Sequence, residues 1–306
     1  MVILYTLPTL TTSCSFEDEP RVCPQNVKLE YWYAGYASQN NLALHVDRLQ
    51  EYLYDGRGQL LRIRTLQKDS LTGKREILPP GDYKIVVWGN YSPNVPSASQ
   101  ILQAETLSQA KLSALQDTIP PRFRENTEKL YYGSGFFTVP EKGTVNKRIH
   151  LSHAHAALKI SVSWLTDRPT MNEPLTMRLR GVPCQYGFSV GREIATGSEA
   201  GPHQVPTIGV SDIQYRIRVA IDYTGDVVGE FTTFRYTANT HPLWSLYCGE
   251  RQLIKELDLW RYFQKSAVDL DHNVEQEFHL TVIVEPGQIV VREISGADWS
   301  EGGTIG

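Results

Sequence analysis

The sequence predicts an all-β protein, mainly strands with a small helical insertion, folded as two β-sandwich domains. Three observations carry this. Apolar and polar residues alternate with a period of two in several separate stretches, as in half-buried strands. Glycine, proline and aspartate punctuate those stretches at short spacing, which favours sandwiches over a parallel α/β sheet. The chain of 306 residues is also long for one sandwich and suits two.

The elements follow in order. In "YLYDGRGQLLRIR", Asp55-Gly56 and Gly58 separate two strand-like runs, and these residues accept the positive φ of a tight hairpin. "LPPGDYKIVVWGN" opens with a proline–glycine turn and continues as the apolar run Ile85–Trp88, an interior strand. In "ASQILQAETLSQAKLSALQ", Ile101, Ala104, Leu107, Lys111, Leu112 and Leu115 fall at three- and four-residue steps. That spacing predicts a helix, capped by Ser97 or Ser99 and stopped by Pro120-Pro121. Leu158, Ile160, Val162 and Trp164 alternate with polar residues, as do Met177–Arg180, Arg216–Val219 and Leu280–Val284. Arg251–Tyr262 has the spacing of a second short helix, and Ile289 with Val291 reads as a last strand. The expected division is residues 1–23 as a signal and linker, 24–152 as the first sandwich and 153–306 as the second.

Composition narrows the function. With 41% apolar and 21% charged residues the chain has material for ordinary cores and is not a disordered type. Its net charge of −4 is spread along the chain, so no basic face points to nucleic acid. After the N-terminus no run approaches the roughly 18 apolar residues of a membrane span. The cysteines Cys14, Cys23, Cys184 and Cys248 have no C-x-x-C spacing, which excludes a zinc ribbon or thioredoxin-type motif. Cys184–Cys248 is the expected bridge, with two buried free thiols as the alternative.

The N-terminus reads as an address label. Val2–Leu10 is a short apolar segment, and Thr11, Thr12 and Ser13 stand just before Cys14. Signal peptidases cut after small side chains, and a lipoprotein signal places cysteine directly after the cut. The leader carries no positive charge, as expected from a start codon placed too late. The acidic cluster Glu17-Asp18-Glu19 after the cysteine resembles the surface-export signal of Bacteroidota lipoproteins.

Taken in order, these pieces resemble one family. Cys14 with its acidic sequel, Cys23-Pro24, Val46–Leu49 leading into "YLYDGRGQL", and "LPPGDYKIVVWGN" carry the likeness. So do "LYYGSGFFTV" at Leu130–Val139, "FTTFRYT" at Phe231–Thr237, and "VVREISGADW" near the end. The chain is similar to the FimB-type fimbrial anchoring subunits of type V pili. That resemblance implies two transthyretin-like sandwiches, acyl chains on Cys14, an outer-membrane location at the cell surface, and pilins as partners. It also implies that a C-terminal strand fills a neighbour's groove, here with Ile289, Val291, Ile294 and Trp299 as its apolar anchors; the alternative is that Val290–Ile294 only completes the chain's own second sandwich and the tail is disordered. The chain departs from the family at Gly296–Trp299, where Asn-Gly-Trp is common, and in its histidine-rich "HLSHAHA". The first arginine after Cys14 is Arg21, and no strand fits between them. A cut there opens no groove, which suits an anchor that stays lipidated rather than a processed shaft subunit.

Several motifs point elsewhere and are weighed against plainer readings. Gly187-Phe188-Ser189-Val190-Gly191 is a literal G-x-S-x-G, but the following "REIATGSEAGPH" reads as a loop where a nucleophile elbow needs a helix. It is expected to be a bend, and the chain not an enzyme. His153 and His155 fall on one side of a strand, with His150 nearby, yet no third ligand is recognisable; surface histidines on a linker explain them. Asp269 and Asp271 mimic a calcium loop, but Val274 and Leu280 stand where glycine and glutamate belong. No metal or cofactor is therefore expected. Tyr31, Trp32, Tyr33, Tyr36, Tyr131-Tyr132 and Phe136-Phe137 read as aromatic packing within a sandwich, with a glycan-binding adhesin as the alternative function.

Overall fold

The computed structural model describes residues 25–35, 40–71, 73–91, 99–115, 123–188, 214–222, 224–265 and 268–293. In the first half these form β1 (Val27–Tyr33), α1 (Leu42–His45), β2 (Arg48–Asp55), β3 (Leu60–Gln67), β4 (Lys74–Glu76) and β5 (Gly81–Gly89). Next come β6 (Ser99–Leu102), β7 (Lys111–Ala114), β8 (Phe123–Arg124), β9 (Tyr131–Val139) and β10 (Val145–His153). Beyond them lie β11 (His155–Trp164), β12 (Leu175–Arg180), β13 (Gln185–Gly187), β14 (Gln214–Arg218), β15 (Ala220–Ile221) and β16 (Val227–Phe234). The chain continues through β17 (Leu243–Cys248), β18 (Arg251–Asp258), α2 (Leu259–Lys265), β19 (Glu277–Glu285) and β20 (Gln288–Glu293). The fold is mostly β, as the residue patterns predict.

One seven-stranded sheet, in the order β3-β2-β5-β9-β10-β1-β4, dominates the first half. Its alternation is direct: Val27, Leu29, Tyr31 and Tyr33 of β1 point inward while Lys28, Glu30 and Trp32 are only partly covered. The β2–β3 hairpin turns where glycine allows it. Gly58 has φ 83°, its N–H donates to the Asp55 carbonyl at 2.9 Å, and Gln59 N–H donates to Asp55 Oδ1 at 2.8 Å. The sheet curls until its two edge strands meet, because Arg62 and Arg64 of β3 reach Glu76 of β4 at 2.7 and 3.2 Å.

The second half forms two five-stranded sheets, β15-β16-β11-β19-β20 and β18-β17-β12-β14-β8. Leu158, Ile160 and Val162 of β11 face Met177 and Leu179 of β12 and Trp244 and Leu246 of β17 in one core. A two-residue strand from the first half, β8, completes the second of these sheets by pairing with β14. The exchange runs both ways: β13, from the second half, joins β7 and β6 in a three-stranded sheet.

The predicted helix at 97–115 is instead the β6–β7 hairpin, with Ile101 opposite Leu112. Tertiary context outweighs the spacing. The outer face of the large sheet presents Tyr52, Tyr54, Val86 and Trp88, and Leu107, Ala110, Leu112 and Ala114 cover it. Pairing with β13 then supplies the backbone partners that a helix has no use for. The second predicted helix, Arg251–Tyr262, is displaced: Arg251–Asp258 pairs with β17 as a strand, and helix begins only at Leu259. The expected Cys184–Cys248 bridge does not form, and neither cysteine is in a disulfide. Cys248 ends β17 inside the second core, whereas Cys184 packs with Tyr186 beside the first sheet, so the two thiols belong to separate cores.

Candidate functional site

Two places stand out as candidates: the outer edge of β20 and the seam where β10 hands over to β11. The edge is built by a hairpin. Pro286 and Gly287, the latter at φ 79°, occupy the central positions of a type II turn between β19 and β20. Pairing then runs from Glu285 opposite Gln288 to Leu280 opposite Glu293. The Val284 carbonyl accepts from Leu165 N–H at 2.9 Å on the opposite side, so Val284 faces β11. Its partner Ile289 therefore turns its N–H and carbonyl away from β19, and Val291 does the same two residues on. Among the described residues β20 pairs with no strand but β19. Its outer backbone is an unpaired template.

The anchors assigned to a donated strand divide accordingly. Both Ile289 and Val291 lie in β20, paired with β19; Val291 packs against the chain's own second core, and Ile289 is 39% exposed. Ile294 and Trp299 lie outside the described residues, as do Cys14, Glu17, Asp18 and Glu19.

The seam is polar and buried. Arg235 donates to the His153 carbonyl at 3.1 Å, to the Leu270 carbonyl at 3.2 Å and to Asn273 Oδ1 at 2.6 Å. Burial lowers its guanidinium pKa to about 10. Tyr186 donates its hydroxyl proton to the Ala154 carbonyl and accepts from Arg235 N–H at 2.6 Å. Gln276 bonds both the N–H and the carbonyl of Tyr236, at 2.7 and 2.9 Å. These side-chain donors thus find partners across the handover.

The histidines of "HLSHAHA" sit in this seam, which corrects the surface reading: His153 and His155 are buried, and their rings stack at 4.3 Å. The linker is interior because β13 and residues 274–276 close over it. The aromatic residues resolve as packing. Tyr31, Tyr33, Tyr131, Tyr132 and Phe137 are buried, and Tyr83 stacks on Phe137 at 5.5 Å. Trp32 and Phe136 are partly exposed, and Arg148 lies over the Trp32 ring at 4.1 Å. Tyr36 lies outside the described residues.

The remaining motifs are structural where described. Ser189 lies outside the described residues, but Gly187 ends an antiparallel strand of three residues with buried Phe188 after it. A nucleophile elbow rises from a parallel sheet instead. Asp269 accepts from the N–H groups of Asp271 and His272, and Asp271 from Ala238 N–H, so both carboxylates fix a turn.

A family model of the fimbrillin-A associated anchor proteins Mfa1 and Mfa2 matches residues 19–186, more than half of the chain. The chain belongs to this family. A fimbria-associated role follows, and the family is one of structural rather than enzymatic proteins. The fold is also similar to that of solved structures. The fimbrial anchor protein Mfa2 from Porphyromonas gingivalis superposes with a TM-score of 0.63 at 15% identity, over 88% of this chain and 95% of that one. A candidate polysaccharide-binding protein from Bacteroides thetaiotaomicron gives 0.63 at 13% identity, over 88% and 98%. A candidate adhesin from Bacteroides ovatus gives 0.61 at 13% identity, over 94% and 100%. At such identities the likeness speaks for the fold. No curated protein matches the sequence.

Proposed function

We propose that this chain is a cell-surface lipoprotein that fastens fimbriae to the outer membrane. Acyl chains on Cys14 hold it there, and Glu17, Asp18 and Glu19 direct it outward. Pilins of the same system join it by strand addition, and no cofactor is needed. The division into sandwiches at residues 24–152 and 153–306 places the attachment edge in the second. The observation that carries the mode of attachment is the outward-facing backbone of β20, directly ahead of Ile294 and Trp299 in the sequence. Backbone hydrogen bonds to such an edge give affinity, and pockets for alternate side chains give specificity.

Two variants test the reading. Cys14→Ser is expected to move the protein from the membrane fraction to the soluble one, since stable anchoring takes more than one acyl chain. Retention in salt-washed membranes refutes lipidation at this residue. Deletion of Asp298–Gly306 is expected to leave the protein folded and lipidated while pili appear in the medium. Pili kept at wild-type levels count against attachment through this end.

A glycan-binding adhesin is a second reading, favoured by one feature. A cleft of about 990 Å³ is lined by Arg178, Arg216, Arg218, Glu230 and Glu250 of the second half, with Glu125 and Asn126 of the first. Arg178 lies over the Tyr247 ring at 3.8 Å and Arg216 over Phe123 at 4.0 Å. A hydroxyl-rich or anionic sugar suits such a lining better than an apolar strand. Oligosaccharide that elutes with the native protein, without any pilin, favours this reading over the anchor.

A further inference from the structure

We propose that His153, His155 and Glu277 form a binding site for a divalent transition-metal ion of the zinc type, at the joint between the two halves of the molecule. This goes beyond the anchoring role and is independent of how pilins attach.

The topology makes the site. His153 ends β10 in the seven-stranded sheet, and His155 begins β11 in the other half. Across the bend at Ala154 the two rings stack at 4.3 Å, so both lie on one face. Glu277 begins β19, which runs parallel to β11 with Glu277 opposite Ala157. Two backbone bonds hold that segment alongside: His153 N–H donates to the Val274 carbonyl at 3.0 Å, and Ala157 N–H to that of Gln276 at 2.8 Å. Glu277 therefore falls on the same face as the histidines, although it lies more than a hundred residues away. One ligand atom from each of the three residues lies within 4.8 Å of the others. A tetrahedral zinc with bonds of about 2.0–2.1 Å needs ligand atoms about 3.4 Å apart, a closure that small side-chain rotations supply.

The second observation is the state of the imidazoles. His155 Nδ1–H donates to the Leu130 carbonyl at 2.8 Å, which fixes the tautomer and leaves the lone pair on Nε2. That Nε2 is buried and has no hydrogen-bond partner among the described residues. The side chain of His153, also buried, has among them a long contact at 3.5 Å, from Gln276 N–H to its Nδ1. A backbone carbonyl on one ring nitrogen and a free lone pair on the other is how metal-bound histidines are commonly oriented. Tyr131 stands edge-on to the two rings at 5.1 and 5.3 Å and shields the inner side. Glu277 is exposed at the rim, where it supplies negative charge and an entry path.

The donor set selects the metal. Two imidazoles and one carboxylate suit zinc, with water in the fourth position; calcium and magnesium prefer all-oxygen shells. Bound there, the ion ties the end of β10, the start of β11 and the start of β19 together. It would stiffen the joint along which a pulling load passes from one half to the other.

Titration of the chelator-treated full-length chain with zinc chloride, followed by calorimetry, tests the site. The expected result is one ion per chain with a Kd of about 1 µM or tighter. Cobalt chloride in its place should give the intense visible absorption of a tetrahedral ion. Glu277→Gln is the informative variant, because Glu277 is exposed and its loss leaves the fold intact. It should weaken zinc binding by about 10-fold or more and reduce the zinc-dependent rise in thermal midpoint. His155→Gln keeps an N–H for Leu130 but removes the ligand, and should abolish the cobalt absorption. Absence of saturable binding, or equal affinity in wild type and Glu277→Gln, overturns the proposal.

Discussion

The two halves of the molecule treat their sheet edges in opposite ways. In the first, β3 and β4 are the end strands, yet they are fastened to each other through charge. Glu51, fully buried on β2, takes Arg64 at 2.6 Å, Arg62 at 3.1 Å and the Tyr31 hydroxyl. Arg62 and Arg64 then pass on to Glu76 of β4. Charged residues here close the sheet against edge-to-edge pairing. In the second half, β20 has no such fastening among the described residues, and its backbone faces outward. One half closes its large sheet through charged side chains, while the other leaves the edge of β20 open among the described residues.

The largest expected effect follows from breaking the closed half. Glu51→Ala leaves two arginines and a tyrosine hydroxyl without their shared acceptor. Removal of one member of a buried charged group costs about 3–5 kcal/mol. Urea unfolding should show a loss of this size with loss of the native fold at elevated temperature. A loss under about 1 kcal/mol means that the network does not close the sheet.

An intermediate effect sharpens the contrast by comparing two glycines. A Cβ on Gly133 of β9 meets the His150 carbonyl oxygen at 2.7 Å, and backbone does not yield. A Cβ on Gly229 of β16 meets Met177 Sδ at 2.6 Å and Val219 Cγ1 at 2.6 Å, side-chain ends of which Val219 is only partly buried. Gly133→Ala should therefore cost about 2–3 kcal/mol and Gly229→Ala about 1–2 kcal/mol. The order of the two thermal midpoints checks this, and a reversed order shows that the second core is the stiffer one.

The smallest effect on stability is expected at the open edge. Ile289→Pro removes an N–H that points away from β19, so pairing within the hairpin survives and the cost stays below about 1.5 kcal/mol. Capture of pilin on the immobilised protein should nonetheless fall sharply, whereas Val290→Pro, which removes a bond to β19, should unfold the hairpin. Undiminished capture by Ile289→Pro separates the edge from assembly.

The residue order by itself determined the strands that alternate cleanly and the turns that need glycine. Leu158–Trp164 could bury only one face, and Asp55–Gly58 accepts backbone angles that other residues resist. It also pointed to the family, and the motif "LPPGDYKIVVWGN" lies within residues 19–186, which the family model matches. Local periodicity misled at Ile101–Leu115, because a three-to-four step of apolar residues fits both a helix and a hairpin that covers a second face. Only the fold decided between them, since the partners Tyr52, Tyr54 and Trp88 arrive from other strands. The seam was half legible for the same reason. The two-residue step placed His153 and His155 on one side, but their burial and the approach of Glu277 depend on the parallel pairing of β11 with β19. Such long-range contacts are set by how sheets close and stack, which no local pattern encodes.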